Sequence, residues 1–138
     1  MTDEHKQQPK QVIVMRTDLN MRKGKMIAQG AHASLKVILD KMVNDYQGTY
    51  MWKRLFIEFG SPLDEWINLL FKKIAVKAPD LRTVLDVYEK AQKENIPCTL
   101  IQDAGLTEFG GENTITCCAI GPDDPEKIDK ITGHLNLL

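Results

Sequence analysis

Short apolar runs rich in β-branched residues alternate along this chain with segments of helical periodicity. The run QVIVM at 11–15 is nearly continuous in apolar residues, as in strands that are buried on both faces of a sheet. Comparable runs are KKIAVKA at 72–78, CTLIQ at 98–102 and TITCCAIG at 114–121. Strands separated by helices in this way predict an α/β fold with a mostly parallel sheet covered on both faces.

Helical segments are predicted after the first of these runs. One helix extends from about 24 to 43, where apolar residues recur at steps of three and four. An extended helical segment follows at about 40–71, in which Ser61 is a candidate N-cap and Pro62 a first-turn residue. This segment makes the middle of the chain a helical excursion between two strands.

Two further helices complete the predicted order of elements. One begins after Asp80, and the last begins within the sequence DPEK and stops near Gly133. The predicted order is therefore β-α-α-β-α-β-β-α. The two strands within 98–121 are joined by a loop of about ten residues, which favours an antiparallel hairpin.

Length and composition favour one domain in a reducing compartment. The chain has 138 residues, of which 43% are hydrophobic, and this is enough for one domain with a core. The same length makes two domains improbable. We therefore predict a polar N-terminal tail at 1–10 and a single domain at 11–138. A net charge of -1 requires any site for a polyanion to be local. The sequence has no signal-like or membrane-spanning run, and its three cysteines lack metal-ligand spacing, so a cytoplasmic protein without zinc is expected.

Four cations lie on the loop that enters the first helix, at Arg16, Arg22, Lys23 and Lys25. A helix N-terminus carries partial positive charge and favours carboxylates, so this concentration of cations has an electrostatic cost. Together with free helix N–H groups the cations suit phosphate, and a solvated surface loop is the alternative. The spacing GxxxxGK[ST] of a P-loop is absent, which argues against nucleotide hydrolysis.

The loop DAGLTEFGG after the third strand supplies polar groups at Asp103 and Thr107. Ligands of α/β sheets gather at the carboxyl ends of strands, so this loop and the cationic loop are predicted to share one site. Asp103 before Ala-Gly also suits a simple turn initiator. His32 lies among small residues of the first helix, which favours a packed or hydrogen-bonded structural histidine over a catalytic one. The sequence has no Gly-x-Ser-x-Gly elbow to support an acyl-enzyme.

Three blocks of the sequence resemble the type 2 peptidyl-tRNA hydrolases, in the same order and over most of the chain. They are QVIVMRTDLNMRKGKMIAQGAHAS, KIAVKAPDLRTVLDVYEKAQKENIPCTLIQDAGLTE and AIGPDDPEKIDKITGHLNLL. The resemblance implies a three-layer α/β/α fold with a four-stranded mixed sheet, commonly as a homodimer. It also implies hydrolysis of the ester that joins a peptide, or an N-blocked amino acid, to the 3′ end of tRNA, as part of translation and ribosome recycling. It implies that the reaction needs no metal, and no other cofactor is expected.

The resemblance assigns catalytic roles to Lys23, Asp103 and Thr107. Asp103 would orient or deprotonate the attacking water, Thr107 would hold it, and Lys23 would neutralise the developing negative charge. The reverse assignment, with a lysine as the base, stays open. Supporting positions that match the family pattern are Gln29 and His32, and the expected ligands of tRNA phosphates are Arg16, Arg22 and Lys25.

The chain departs from the family pattern on both sides of the DAG sequence. The family usually carries arginines there, as RDAGRT, whereas this chain has Gln102 and Leu106. Loss of phosphate contacts weakens nucleic-acid binding and flattens its salt dependence. The alternative function is therefore a catalytically weakened or inactive module on the same scaffold, which binds tRNA, another RNA or a protein partner.

Overall fold

A computed structural model describes residues 7–105 and 108–138, so the first six residues of the predicted tail lie outside it. The elements in chain order are β1 (Lys10–Arg16), α1 (Lys23–Leu39), β2 (Val43–Gln47), β3 (Tyr50–Arg54), α2 (Pro62–Asn68), β4 (Lys72–Ala78), α3 (Leu81–Lys93), β5 (Cys98–Asp103), β6 (Thr114–Asp123) and α4 (Pro125–Thr132). The mixed α/β class, all the predicted strands and the helices α1, α3 and α4 are confirmed. None of the helices in the described residues is long and apolar enough to span a membrane.

β1 and β6 form the centre of a four-stranded mixed sheet with the order β4-β1-β6-β5. β1 pairs in parallel with β4, whereas β6 is antiparallel to both β1 and β5. The mixed sheet and the β5–β6 hairpin are therefore confirmed, and the prediction of a mostly parallel sheet is wrong. The reason is that β6 returns from β5 by a hairpin and inserts beside β1, so its direction is opposite to both neighbours.

Successive side chains of β1 point to opposite faces of the sheet, and the apolar core accordingly consists of two clusters. Val12 and Val14 belong to a cluster that includes Val84 of α3 and Ile128 of α4. Met15 belongs to the other cluster, which includes Ala33 of α1. Helix α1 and the α3–α4 pair therefore contact different parts of the core, and α1 begins just beyond the carboxyl end of β1.

The segment predicted as helical at about 40–71 contains a β-hairpin before its short helix. β2 and β3 pair antiparallel, with Gln47 opposite Tyr50. Gly48 makes the turn with a φ of +60°, which costs glycine no steric strain, and the flanking aromatic and β-branched residues favour strands. The helical prediction is therefore wrong for this half of the segment. The hairpin exposes the aromatic side chains of Tyr46, Tyr50 and Trp52.

Helix α2 begins where the sequence predicts. Ser61 Oγ accepts the N–H of Asp64 at 3.2 Å, and Pro62 occupies the first turn. Trp66 is buried and donates its indole N–H to the carbonyl of Lys72 at 2.7 Å. The Ser61 cap is therefore confirmed, and α2 is attached to the start of β4.

Helix α1 begins without the usual anionic compensation at its N-terminus. Its N-cap is Arg22, which makes no side-chain cap hydrogen bond, and its first turn holds no acidic residue. Lys23 and Lys25 lie in that turn. The concentration of cations expected from the sequence is therefore present, and its compensation has to come from another part of the fold.

A left-handed glycine, Gly105, lies shortly after the end of β5. Gly105 has a φ of +79°, and its carbonyl accepts the N–H of Gly111 at 2.8 Å. A Cβ atom built on Gly105 would overlap the main chain of Glu112. Glycine is therefore the residue that fits this turn, directly after the end of β5.

Gly105→Ala should destabilise the protein much more than Gly110→Ala. Both glycines have positive φ, +79° and +62°, but a Cβ atom on Gly110 meets nothing within 4 Å. We expect Gly110→Ala to cost about 1 kcal/mol and Gly105→Ala to cost about 3 kcal/mol, because the second also forces main-chain atoms apart. The measurement is the free energy of unfolding in urea, and equal losses for the two variants would contradict the steric account.

Candidate active site

Asp103, at the end of β5, accepts hydrogen bonds from two separate parts of the chain. Lys25 Nζ donates to Asp103 Oδ1 at 2.8 Å, and Gln29 Nε2 donates to the same oxygen at 3.3 Å. The N–H of Gly105 donates to Oδ2 at 2.8 Å. Both predicted loops therefore meet at this residue, and the turn role expected of Asp103 is combined with contacts to α1.

The pair of Lys25 and Asp103 supplies the anion that the start of α1 lacks. Lys25 and Gln29 reach the same carboxylate because residues i and i+4 lie on one face of a helix. Both charged side chains are 14% exposed, so water screens their attraction only in part. The hydrogen bond from Lys25 lowers the pKa of Asp103 and outweighs the opposing effect of burial. Asp103 is therefore a carboxylate at neutral pH.

Two residues that were not predicted from the sequence complete the surroundings of this pair. Thr116, buried on β6, donates its hydroxyl to Gln29 Oε1 at 2.6 Å. Phe109 places its ring against the Lys25 ammonium, with 5.7 Å between Nζ and the ring centroid. The position of Phe109 on a glycine-containing loop is a weak signal for such a role. The sequence gives no signal for the role of Thr116, because threonine is common in strands generally.

Lys23, predicted to be the catalytic lysine, does not contact Asp103. It is the first residue of α1, and its exposed side chain makes no hydrogen bond or ion pair within 7–105 and 108–138. Lys25, predicted to bind phosphate, occupies the place beside the carboxylate instead. Thr107, the other predicted catalytic residue, lies outside the described residues, and its role stays a prediction.

The two arginines predicted to bind phosphate are paired with acids of the same chain. Arg16 donates to the two carboxylate oxygens of Asp18 at 3.0 and 2.7 Å and to the carbonyl of Ile115 at 2.9 Å. The hydrogen bonds from Arg16 lower the pKa of Asp18. Arg22 donates to Glu108 at 2.9 Å, although the Arg22 side chain is 84% exposed. Arg22 therefore remains open to solvent, whereas Arg16 fastens the end of β1.

His32 is exposed beside Gln102, where both residues line a depression next to α1. The His32 side chain makes no hydrogen bond with the residues that the structure describes, so the prediction of a packed or hydrogen-bonded structural histidine is wrong. The reason is helical phase: the small residue next to it, Ala33, points into the core, while His32 points away from it. The supporting role of His32 stays a prediction.

The cysteines on β6 are unreactive thiols. Burial raises the pKa of Cys117 to about 11 and raises that of Cys118 well above its usual value. Both thiols are therefore protonated at neutral pH and are poor nucleophiles. In the part of the chain that the structure describes, no three His, Cys, Asp or Glu side chains group together as metal ligands. What the site offers to a substrate is a carboxylate, an ammonium group and the N–H groups at the start of α1.

Sequence comparison relates nearly the whole chain to one family. The family model described as "Peptidyl-tRNA hydrolase PTH2" matches residues 9–138. Three proteins named peptidyl-tRNA hydrolase are similar to this chain. The one from Methanocaldococcus jannaschii is 43% identical to it, the one from Sulfurisphaera tokodaii 45% and the one from Methanopyrus kandleri 40%. Each match covers 94% of this chain, and 99%, 98% and 97% of the respective relative. The match covers nearly the whole chain, including the start of α1 and the Asp103 loop. The chain therefore belongs to the PTH2 family of peptidyl-tRNA hydrolases.

Proposed function

We propose that this protein hydrolyses the ester between a peptide, or an N-blocked amino acid, and the 3′ end of tRNA. The family match over 9–138 supports this activity. The observation that carries the assignment of the site is the contact of Asp103 with Lys25, which puts a carboxylate and an ammonium group side by side at a helix N-terminus. Ester hydrolysis needs one group to orient water and another to stabilise an oxyanion.

Asp103 orients the attacking water through Oδ2. Oδ1 accepts from Lys25 and Gln29, whereas Oδ2 accepts only the N–H of Gly105 among the described residues. A carboxylate oxygen has two lone pairs, so Oδ2 has room for one more donor. The water oxygen attacks the carbonyl carbon, the bond to the ribose oxygen breaks, and a proton of the water passes to that oxygen. The lowered pKa of Asp103 suits an orienting carboxylate better than a strong base.

Lys25, rather than Lys23, acts together with Asp103. The Lys25 ammonium lies 2.8 Å from the carboxylate and its side chain is 14% exposed, so little water competes with it. Negative charge that develops on the ester carbonyl oxygen beside this group is stabilised electrostatically. A lysine base at Lys25 would have to lose the positive charge that attracts the Asp103 carboxylate, so that open alternative is disfavoured. The water contact of Thr107 remains part of the proposal.

Lys23 and Arg22 serve the tRNA phosphates. Both side chains are exposed at the start of α1, where main-chain N–H groups also attract anions. Arg22 can exchange its solvent-exposed contact with Glu108 for a phosphate at little cost. Arg16 is committed to Asp18, so we assign it to shaping the loop and not to holding phosphate.

The family resemblance also supports a three-layer α/β/α arrangement, a cytoplasmic location, a role in ribosome recycling and a homodimer. Exposed apolar surface supports the homodimer in particular. Ile27 and Leu35 of α1 are 73% and 57% exposed and line an open groove of about 790 Å³ together with Phe71. Contiguous apolar surface of this kind is typical of association sites.

Binding without hydrolysis is the second candidate function. Gln102 stands where the family usually carries an arginine, so one cation beside Asp103 is missing. Fewer cations near the acceptor end weaken the electrostatic attraction to tRNA. The exposed aromatic residues of the β2–β3 hairpin support a protein partner as a variant of the same idea.

Lys25→Ala and Asp103→Asn should each lower kcat about a hundredfold, whereas Lys23→Ala should mainly raise KM a few fold. The first two substitutions remove groups that act on the reacting atoms, and the third removes one exposed cation. The measurement is release of the blocked amino acid from N-acetyl-aminoacyl-tRNA in the presence of EDTA, which should leave wild-type turnover unchanged.

Lys41→Ala, at an exposed cation beyond the end of α1, is the matched control and should leave both constants unchanged. An inactive Lys23→Ala together with an active Lys25→Ala would reverse the assignment of the two lysines. A folded wild-type protein that binds tRNA with strong salt dependence, but releases no amino acid, would establish the second candidate function instead.

Asp103→Asn should lower the free energy of unfolding near neutral pH, and this effect should disappear in acid. In the folded protein the pKa of Asp103 lies below its ordinary value of 3.8, so the ion pair stabilises the fold above that pH. As the pH falls through the lowered pKa, the folded carboxylate takes up a proton and the contribution is lost. The measurement is urea denaturation of both proteins from about pH 7 to about pH 2, a range that extends well below the ordinary pKa of the carboxyl group.

Asp86→Asn provides the control for this pH series. It removes a contact with Arg82 at 3.2 Å in which both side chains are substantially exposed, so it should change the free energy of unfolding little at any pH. A difference between wild type and Asp103→Asn that stayed constant to the lowest pH would contradict the lowered pKa of Asp103.

Replacing both Ile27 and Leu35 by Asp should convert the homodimer to a monomer. Charged side chains on the groove cannot be buried against a second copy without losing their hydration. The measurement is molar mass by light scattering, with Ile57→Asp, at an apolar residue 38% exposed outside this groove, as the control. A monomeric wild type would refute the homodimer, and a dimer unaffected by the double substitution would place its interface elsewhere.

A further inference from the structure

We infer that Thr116 is a positioning residue for the hydrolysis, acting on Asp103 through the side-chain amide of Gln29. The inference rests on the proposed function and adds a buried residue of β6 that has no direct contact with the carboxylate. The three side chains form a hydrogen-bonded series. Thr116 Oγ1 donates to Gln29 Oε1 at 2.6 Å, and Gln29 Nε2 donates to Asp103 Oδ1 at 3.3 Å.

The chemistry of the two end groups fixes the orientation of the Gln29 amide. Asp103 is a carboxylate that only accepts, so the amide presents its NH₂ group to it. The amide oxygen then faces Thr116, whose hydroxyl can donate to it. An amide turned the other way would set its oxygen against Asp103. Asp103 therefore selects this orientation, and Thr116 stabilises it by giving the amide oxygen a donor.

Burial makes this partner hard to replace. Thr116 is 0% exposed and Gln29 is 2% exposed, so solvent does not reach the amide. The thiol of Cys117 donates to the main-chain carbonyl of Gln29 at 3.4 Å, which ties the same turn of α1 to β6. Without the Thr116 hydroxyl, a buried amide oxygen would lack a hydrogen bond, and the amide would turn or shift to regain one.

The Gln29 donor helps to decide which oxygen of Asp103 meets the water. With Lys25 and Gln29 both on Oδ1, the open lone pair lies on Oδ2. Donation by Thr116 also polarises the amide and strengthens its N–H as a donor. When the Gln29 contact is lost, the carboxylate is held at fewer points and can rotate away from the orientation that aligns the water. Small displacements of a group that positions a reactant lower the rate of the chemical step more than they lower binding.

Thr116→Val and Thr116→Ser separate the effect of the hydroxyl from that of shape. Valine keeps the volume and removes the donor, whereas serine keeps the donor. We expect Thr116→Val to lower kcat for N-acetyl-aminoacyl-tRNA about tenfold with KM unchanged, and Thr116→Ser to stay within about threefold of wild type. Thr132→Val is the control, because Thr132 is equally buried but donates to the carbonyl of Ile128 within α4. Its kcat should equal that of wild type.

Gln29→Met tests the path of the effect. In the Gln29→Met background, adding Thr116→Val should not lower kcat further, because Thr116 acts only through Gln29. The double variant removes both polar partners and leaves neither side chain with an unpaired buried atom. If the Tm of Thr116→Val shows that it does not fold, Thr116→Cys replaces it. The weaker thiol donor should then give a kcat clearly below that of Thr116→Ser.

The outcomes separate this inference from the proposed function. Equal kcat for an active wild type and Thr116→Val, or for Thr116→Ser and Thr116→Cys, would overturn the positioning role. A loss from Thr116→Val that is as large in the Gln29→Met background as in wild type would overturn the path through Gln29. A folded wild type without turnover would overturn the proposed hydrolysis itself.

Discussion

The ion pair of Lys25 and Asp103 is the contact on which the arrangement of the site depends. Helix α1 begins with cations at a terminus that is already positive, and its own first turn supplies no acid. The anion comes instead from the end of β5, an edge strand of the sheet. Because both side chains are only 14% exposed, separating them would remove an attraction that water replaces poorly at this depth. The charges proposed to act on the substrate therefore also fasten the start of α1 to the sheet.

Local patterns in the sequence were enough to predict helices and strands that have a buried face. The strand predicted at 72–78 is β4 with the same residues, and the cap at Ser61 is found as expected. The β2–β3 hairpin escaped prediction because almost every residue in it is exposed. Without a buried face there is no reason for apolar residues to alternate, so the pattern that reveals a strand is absent. The glycine of the turn, Gly48, is the remaining signal, and a single glycine suits a break between helices equally well.

The proposed assignment of Lys25 rather than Lys23 depends on the helical phase of α1, which the sequence alone does not define. Both lysines lie in the same turn, and either can be placed near a carboxylate until the buried face of α1 is known. Gln29, one turn after Lys25, is buried beneath Asp103 and fixes that face. The inferred role of Thr116 depends in addition on the register of β6, which the sequence alone does not define. Asp103 pairs with Thr114, and a slip of one residue would turn Thr116 to the other face of the sheet.

Charge within the site is largely balanced by the chain itself. Arg22 is paired with Glu108 and Lys25 with Asp103, while Arg16 is held by Asp18, so little surplus positive charge remains for a polyanion. These pairs differ in how far water and salt reach them: exposed charges are screened strongly and partly buried ones much less. Salt should therefore weaken phosphate contacts at Arg22 before it disturbs the Lys25 pair. A cation missing from the rim, as at Gln102, should accordingly lower affinity for tRNA more than it alters the groups proposed to act on the ester.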